Sequence, residues 1–298
     1  MNRQQRRMQE RKEKKKNRVP EQKFEMNMSM IQPWSTFVMK TKLPDAILGK
    51  MLEITDEMVD NAENEKSWGK NLAGQIEHEL YVDHEKLHEA GIYGFFMDII
   101  RHYVIAAKSQ QHPGSEQAIQ QEKWLTQMLS MWVISQKDNE YNPMHIHTEC
   151  QLSSVMYLKI PEYLPSRKEG REDDGNIVFV NSTCNDGQLV SPQFSWRPQV
   201  GDFFIFPAQQ SHFVYPFRTA DGKGERRSVS FNAIYATEDE IKAQQEQQKQ
   251  LLEANQTKQM KEGQTTYKGE IPTLTIEKPK EDSEVKHFEG DVGRFHQS

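Results

Sequence analysis

The sequence predicts an α+β protein built around an antiparallel β-sandwich or jelly roll. The first observation is a change of pattern near residue 131: apolar residues recur at helical spacing before it, and short β-rich runs follow it. The second is the punctuation of those runs by Gly, Pro, Asn and Asp, which is typical of many short strands. The third is the polarity of both ends, since the chain is only 35% hydrophobic and its mean hydropathy is -0.86. A compact core with polar extensions explains these values.

Composition divides the chain of 298 residues into five segments. The expected order is a basic disordered leader (1–28), a strand and helices that pack on the core (29–130), a β-rich core (131–235), a polar helix (236–262) and a disordered tail (263–298). Thr237 and Glu240 form a capping-box pattern, which predicts the start of the polar helix; this helix should continue to about Met260.

The segment before the core carries the helical signals. A short strand is expected from Trp34 to Lys40, and Leu43-Pro44 should end it. Residues 45–130 then show helical spacing of apolar side chains, and this pattern includes Trp124 to Leu129. The stretch "NPMH" at 142–145 is expected to be a loop. The helices should pack on the outer face of the sheet, where they would bury Met156, Leu158 and Ile160.

The β-rich core consists of seven short runs. They are "MWVISQ", "LSSVMYLKI", "GNIVFVNS", "PQFSW", "GDFFIFP", "HFVYPF" and "RRSVSFNAIY". Because no helical segment separates them, we expect antiparallel strands in close succession rather than a parallel sheet with crossover helices.

The charge of the chain is unevenly distributed. The net charge is -6, but residues 1–25 hold ten Lys and Arg against four Glu, which leaves +6 in this arm and -12 elsewhere. A basic arm can bind nucleic acid or another polyanion through counterion release. It can equally be a solvated, disordered leader, so both interpretations stay open.

Cysteine usage and hydropathy indicate the cellular compartment. The two cysteines, Cys150 and Cys184, are too few for a disulfide scaffold, and the N-terminal stretch has no apolar run suited to secretion. The most apolar helical stretch, "GFFMDIIRHYVIAA", is interrupted by charged residues and is too short to span a bilayer. The sequence therefore predicts a protein of the reducing cytoplasm without a transmembrane segment.

Metal-capable side chains are concentrated beside one apolar run of the core. His145, His147 and Glu149 occupy every second position, so on a strand their side chains would point the same way. Two imidazoles and a carboxylate, with open positions left over, suit a non-haem Fe(II) centre. A jelly roll can bring His212, further along the core, beside them. A single histidine in a β-protein is usually structural, whereas four such candidates in one segment favour a metal site.

The run "RRSVSFN" has one polar and one largely apolar face. Arg226 and Ser228 fall on the polar face, and Arg227 falls on the other. An arginine can hold a dicarboxylate through a bidentate pair, which lysine does less well. Tyr157, with Lys159 on its face, is expected to add a hydroxyl donor to the same anion.

Three motifs together resemble the 2-oxoglutarate- and Fe(II)-dependent oxygenase superfamily: "NPMHIHTECQLSSVMYLKIP", "GDFFIFPAQQSHFVYPF" and "RRSVSFN". Within it, residues 131–235 are similar to a little-characterised oxygenase family met in bacteria and phages. The resemblance implies a double-stranded β-helix as the catalytic core, with Fe(II) as cofactor and 2-oxoglutarate as cosubstrate. It also implies His212 as the distal ligand, and Arg226, with Tyr157 and Ser228, as the anchor of the far carboxylate of 2-oxoglutarate. For a phage-encoded chain the compartment would be the host cytoplasm.

The first motif departs from the superfamily because it contains no H-x-D. Both His145-x-His147 and His147-x-Glu149 are open as ligand pairs, and His147 belongs to both. The reaction that the resemblance implies is decarboxylation of 2-oxoglutarate to succinate, coupled to hydroxylation of a C–H bond in a substrate that the sequence does not name. No catalytic side chain is expected beyond the metal centre.

Two other functions compete with this interpretation. A jelly-roll module can keep a metal and serve as a binding or virion-associated protein without catalysis. The stretch "HEKLH" has the H-E-x-x-H pattern of zinc metalloproteases, with His84 and His88 as ligands and Glu85 as base. Asp83 is expected to cap a helix of only about two turns there, which favours a chance match.

Overall fold

Residues 37–181 and 191–262 are described by the computed structural model, and they form two antiparallel sheets with helices on one side. The predicted leader and tail lie outside these ranges. The strands of the described part are β1 (Met39–Lys42), β2 (His78–Val82), β3 (Trp124–Gln136), β4 (Asn142–His145), β5 (Leu152–Lys159), β6 (Ile177–Val180), β7 (Gln193–Trp196), β8 (Asp202–Pro207), β9 (His212–Val214) and β10 (Arg226–Thr237).

The order of the strands defines a jelly roll. The larger sheet has the order β1-β8-β5-β10-β3-β2, and the smaller sheet has the order β4-β9-β6-β7. From β3 to β10 the chain passes repeatedly between the two sheets, and the pairs are antiparallel. This winding is that of a double-stranded β-helix, so the predicted fold class is confirmed.

Apolar side chains fill both faces of the larger sheet. On the inner face, Phe204 packs against Phe179 of the smaller sheet, with ring centroids 5.9 Å apart. On the outer face, Met156 and Phe231 belong to the cluster that also contains Phe96. Successive side chains on a strand point to opposite faces, so β5 and β8 contribute to both clusters. The space between the sheets is therefore walled by side chains from both of them.

Helices cover the outer face of the larger sheet. Those of the described residues are α1 (Asp45–Asp60), α2 (His84–Glu89), α3 (Tyr93–Gln111), α4 (Glu116–Gln121) and α5 (Glu238–Glu262). Apolar residues of α1 and α3 share a cluster with Met156 and Leu158, as expected. Ile160 instead packs against the cluster between the sheets, so that part of the prediction is wrong.

The capping box at the start of α5 is confirmed. The Thr237 N–H donates to Glu240 Oε2 at 2.8 Å, and the Glu240 N–H donates to Thr237 Oγ1 at 3.1 Å. This reciprocal pair satisfies two backbone donors that a helix start otherwise leaves free.

Several predicted boundaries are wrong in the segment before the core. Trp124 to Leu129, expected to be helical, forms the first half of β3, which pairs with β10 along its whole length. The strand β2 also lies in the region expected to be helical, and it extends the larger sheet beyond β3. A strand covered on both faces loses the alternation of apolar and polar residues, so its sequence resembles that of a buried helix.

Two shorter stretches also differ from expectation. Residues 142–145, expected to be a loop, form β4 and pair with β9. The first strand is β1, and the beginning of the predicted Trp34–Lys40 strand lies outside the described residues.

Candidate active site

Three histidines meet at the inner face of the smaller sheet. His145 ends β4 and is the direct partner of His212, the first residue of β9. His147 follows β4, and its backbone N–H donates to Ala208 O at 2.9 Å, just beyond β8. One ring nitrogen from each of the three lies within 4.8 Å of the others. The imidazole centroids are 4.2 Å apart for His145 and His212, and 5.2 and 5.3 Å from His147 to these two.

Backbone carbonyls orient two of these rings. His145 Nδ1 lies 2.8 Å from Pro143 O, and His212 Nδ1 lies 2.8 Å from Gln210 O. A carbonyl oxygen only accepts, so each Nδ1 is the donor and the proton stays there. The Nε2 lone pair of both rings is left free, which is the usual arrangement of a metal-binding histidine.

Burial keeps the three imidazoles neutral. Burial, together with the nearby His212 and His145 rings, lowers the pKa of His147 to about 2. Burial and the His145 ring also lower the pKa of His212 to about 3, and burial lowers the pKa of His145. All three nitrogen lone pairs are therefore free at neutral pH, as metal ligation requires.

Glu149 lies outside this cluster. The strand β4 ends at His145, and Glu149 has an exposed side chain and a φ of 59°, in the left-handed region. The expectation that His145, His147 and Glu149 stand on one strand is therefore wrong, because the alternation of a strand no longer applies beyond β4. Glu149 still lines the same cavity as the histidines.

Arg226 faces the histidines across this cavity, whose volume is about 600 Å³. It is 2% exposed; Nη1 donates to Gly175 O at 2.6 Å and Nη2 donates to Gln136 Oε1. Its Nε is buried without a partner among the described residues. An arginine has five N–H donors in a fixed plane, so the contacts to Gly175 and Gln136 fix the guanidinium and leave donors for an anion.

Tyr157 lies beside Arg226 on the wall of the same cavity. Its ring is 5.8 Å from the Arg226 guanidinium carbon, and its hydroxyl is buried without a partner among the described residues. Burial raises the pKa of Tyr157, and the charge of Arg226 opposes this only in part, so the phenol keeps its proton. Ser228, opposite Tyr157 in the β10–β5 ladder, also lines the cavity.

Arg227 points to the other face of the sheet, as predicted. Its Nε donates to Glu225 Oε1 at 2.8 Å, and Nη1 donates to Asp56 of α1. Lys159 also donates to Asp56, so the expectation that it shares the face of Tyr157 is wrong. The cause is a β-bulge: Arg227 pairs with Lys159, whereas the next residue of β10 pairs with Tyr157.

Two residues of the cavity region, Gln136 and Glu79, were not predicted from the sequence. Gln136 holds Arg226 because the two are partners in the β3–β10 ladder. Glu79 of β2 lines the cavity, is 2% exposed, and has no hydrogen-bond partner for either carboxylate oxygen among the described residues. Burial, together with the nearby charge of Glu140, raises the pKa of Glu79 to about 7. The alternation of "HELYV" was the available signal, since it puts Glu79 on the face opposite Leu80.

The zinc-protease motif forms no comparable site. His84 and His88 pack against the Tyr93 ring, with centroids 5.8 and 4.1 Å away. The Asp83 cap is present, since its carboxylate accepts from the Glu85 N–H at 3.0 Å. Within residues 37–181 and 191–262, the metal-capable group of three or more side chains is that of His145, His147 and His212.

The remaining predictions concern location and partners. None of the described helices combines the length and apolar character that a membrane crossing needs. Cys150 is a free thiol, and Cys184 lies outside the described residues. The basic arm also lies outside them, so nucleic-acid binding, a cytoplasmic location and a phage origin stay predictions.

Comparison with known proteins gives one family match. Residues 130–232 match the family model described as "Putative 2OG-Fe(II) oxygenase". No curated protein matches the chain.

Solved structures with some similarity include three proteins of low sequence identity. The first is an oxidoreductase of the 2OG-Fe(II) oxygenase family from Burkholderia pseudomallei, at 15% identity over 37% of this chain and 43% of that chain, with a TM-score of 0.28. A prolyl-4-hydroxylase from Pseudomonas putida follows at 17% identity, 65% and 91% coverage and a TM-score of 0.36. A viral collagen prolyl hydroxylase from Paramecium Bursaria Chlorella virus-1 has 13% identity, 66% and 94% coverage and a TM-score of 0.38.

A jelly roll with a histidine cluster and an arginine on the wall of one cavity is the arrangement expected of a non-haem iron oxygenase. The family match over residues 130–232 includes the three histidines and Arg226. The cofactor of this family is Fe(II), and its cosubstrate is 2-oxoglutarate.

Proposed function

We propose that this protein hydroxylates a C–H bond of its substrate while it converts 2-oxoglutarate to succinate. In this proposal His145, His147 and His212 hold Fe(II), and Arg226, Tyr157 and Ser228 bind the far carboxylate of 2-oxoglutarate. One observation carries it: three neutral imidazoles and the unpartnered donors of Arg226 and Tyr157 line one cavity. Residues that bound only a structural metal would not need buried donors for a dicarboxylate.

The donor set fits a divalent iron ion. Three imidazole nitrogens leave several coordination positions open for a chelating cosubstrate and dioxygen. When bound, Fe(II) supplies the oxidation: 2-oxoglutarate, O₂ and R–H give succinate, CO₂ and R–OH, with one oxygen atom in succinate and the other in the product. In this proposal His145 is the third ligand in preference to Glu149, because a ring nitrogen of His145 lies within the cluster and the Nδ1 contact to Pro143 O leaves Nε2 free. Without a carboxylate ligand, the three-histidine centre keeps the full charge of the ion.

The anchor for 2-oxoglutarate is preorganised before the cosubstrate arrives. Gly175 and Gln136 hold the Arg226 guanidinium in place, so little side-chain freedom is lost on binding. The Tyr157 hydroxyl donates a second hydrogen bond to the same carboxylate, and burial makes both contacts strong. Phe204 and Phe206 belong to the same buried apolar cluster as Tyr157, and the Phe204 ring lies edge-on to the Tyr157 ring with centroids 6.4 Å apart.

Succinate release tests this function. The full-length protein is incubated with Fe(II), 2-oxoglutarate and O₂, with and without candidate substrates, and succinate is quantified. We expect Fe(II)-dependent release that the H212A variant loses. A D56N variant, changed on the outer face, is the matched control and should retain it. Failure of the wild-type protein both to bind 2-oxoglutarate and to release succinate would contradict the proposal and favour a non-catalytic jelly-roll module.

A further inference from the structure

Glu79 extends the active-site wall beyond the iron and cosubstrate positions. It belongs to β2, the edge strand next to β3, and pairs with Ile134. Ile134 pairs with Ser228, and Ser228 pairs with Tyr157, so one row of side chains crosses four adjacent strands on the cavity face. Neighbouring strands are about 4.8 Å apart, which puts the Glu79 backbone about 10 Å from that of Ser228.

The carboxylate of Glu79 is closely enclosed by backbone. A Cβ atom on Gly74 would lie 2.5 Å from Glu79 Oε1 and 2.6 Å from Asn142 Oδ1. A Cβ atom on Gly69 would lie 3.3 Å from Glu79 Oε2. Glycine at these two positions lets the backbone approach the carboxylate and Asn142 closely, which a larger residue at Gly74 would prevent.

This enclosure gives the carboxylate no internal partner. Both oxygens are buried and accept no hydrogen bond from the described residues. Burial of a carboxylate without a partner is strongly unfavourable, so such groups normally face a cation or a set of donors. The cationic groups of this region lie elsewhere: Arg226 stands two residues before Ser228 on β10, and the Lys66 ammonium lies over the Tyr81 ring at 4.3 Å. The nearby Glu140 is already engaged, since its oxygens accept from the N–H groups of Glu77 and Lys137.

The surroundings of Glu79 suit an organic cation. The Trp68 side chain lines the cavity, and its backbone N–H donates to Glu79 O at 2.7 Å. The Trp68 and Tyr81 rings form an aromatic pair. The Lys66 ammonium lies 5.4 Å from the centre of the Trp68 ring, which shows that this pair attracts a cation. Leu129 and Ile146, both partly exposed, add apolar surface to the cavity wall for an alkyl chain.

We infer that Glu79 binds the cationic group of the substrate, an alkylammonium or guanidinium, and so positions its alkyl chain towards the histidine cluster. This inference rests on the proposed oxygenase function. The two ends of the cavity then carry opposite charges: Arg226 selects the anionic cosubstrate, and Glu79 selects a cationic substrate. Arg226 repels the cationic substrate and Glu79 repels the anionic cosubstrate, so the two molecules do not exchange positions.

Binding of paired probes tests the inference. N-acetyl-lysine amide and N-acetyl-arginine amide are titrated calorimetrically into the full-length protein, anaerobically with Fe(II), both with and without 2-oxoglutarate. Their neutral counterparts, N-acetyl-norleucine amide and N-acetyl-citrulline amide, are titrated in parallel. The variants are E79Q, which keeps the shape of the side chain, and E140Q, which removes a nearby negative charge from a carboxylate that is already hydrogen-bonded.

We expect at least one cationic probe to bind the wild-type protein about tenfold or more tightly than its neutral counterpart, as for a charge-assisted hydrogen bond in a buried site. E79Q should lose this preference, and E140Q should keep most of it. The inference is overturned if wild-type protein binds charged and neutral probes equally or binds neither, or if E79Q retains the preference. Because 2-oxoglutarate binding is measured separately, failure of the cosubstrate to bind would count against the oxygenase proposal alone.

Discussion

His145 and His212 are direct partners in the β4–β9 ladder, and their imidazole centroids lie 4.2 Å apart. Two strands that are far apart in the sequence thus fix the two proposed ligands by backbone pairing, and His147 joins them through the hydrogen bond from its backbone N–H to Ala208 O. The geometry of the cluster therefore depends on the sheet rather than on flexible side chains.

A comparison of H145A and E149Q tests whether His145 or Glu149 is the third iron ligand. We expect H145A to lose Fe(II) binding by tenfold or more, because it removes one of three imidazoles from the cluster. E149Q should bind iron almost as well as the wild-type protein, because Glu149 lies outside the cluster. Anaerobic titration monitored by metal analysis measures both affinities. Loss of iron from E149Q with retention in H145A would reverse the assignment.

Y157F should separate cosubstrate binding from stability. The Tyr157 hydroxyl is buried without a partner among the described residues, so its removal leaves no new unsatisfied group. Thermal unfolding of the protein without cosubstrate should therefore show an unchanged or slightly raised Tm. The Kd for 2-oxoglutarate should rise about fivefold to tenfold, as for a lost hydrogen bond of about 1 kcal/mol. A lower Tm with an unchanged Kd would mean that the hydroxyl has a structural role only.

R226K tests the fork geometry of the cosubstrate anchor. A lysine keeps the charge but cannot contact Gly175, Gln136 and a carboxylate in one plane. We expect the Kd for 2-oxoglutarate to rise at least tenfold, while Fe(II) affinity is retained. R227K is the matched control on the outer face, where Arg227 contacts Glu225 and Asp56. If both variants weaken 2-oxoglutarate binding equally, Arg226 has no specific role.

D56N should affect stability without affecting the active site. Asp56 of α1 accepts hydrogen bonds from Arg227 and Lys159, and these contacts tie the helix to the larger sheet. The Asp56 side chain is 46% exposed, so we expect a loss of about 1 kcal/mol in the free energy of unfolding. Denaturant titration measures this loss. A change in the Kd for 2-oxoglutarate would show that the two faces of the sheet are coupled.

Glu79 should make stability depend on pH. Its pKa is about 7 in the folded protein against an ordinary 4.5, because burial disfavours the charged form. Between these values the folded state holds a proton that the unfolded state has lost, so the Glu79 contribution to stability falls as pH rises through this window. E79Q lacks this dependence, and its stability relative to wild type should increase by about 3 kcal/mol between pH 4 and pH 8. Denaturant titrations at both pH values check this, and a constant difference would show that Glu79 is ionised normally.

Much of the β core could be predicted from the sequence because Gly, Pro, Asn and Asp mark the ends of its strands. Arg226 and His212 were found because their motifs place them on recognisable strands of that core. The first half of β3 was not predicted as a strand. A strand that has neighbours on both sides and is covered on both faces lacks the alternation of apolar and polar residues that would distinguish it from a helix. The short strand β4 was missed because Asn142 and Pro143 are typical of turns.

The parts of the site that were not predicted from the sequence depend on pairing between distant strands. Glu79 reaches the cavity because β2 pairs with β3, and Gln136 contacts Arg226 because β3 pairs with β10. The alternation of "HELYV" indicates the face of Glu79, but no local pattern in the chain indicates which strands pair. The choice between His145 and Glu149 similarly required knowing where β4 ends, since period-two alternation holds only within the strand.

A crystal structure of the protein soaked anaerobically with Fe(II) and 2-oxoglutarate tests the central claim most directly. We expect iron on His145, His147 and His212, with 2-oxoglutarate chelating the metal and its far carboxylate within hydrogen-bond distance of Arg226 and Tyr157. Iron bound through Glu149 in place of His145, or a far carboxylate directed away from Arg226, would contradict the assignment.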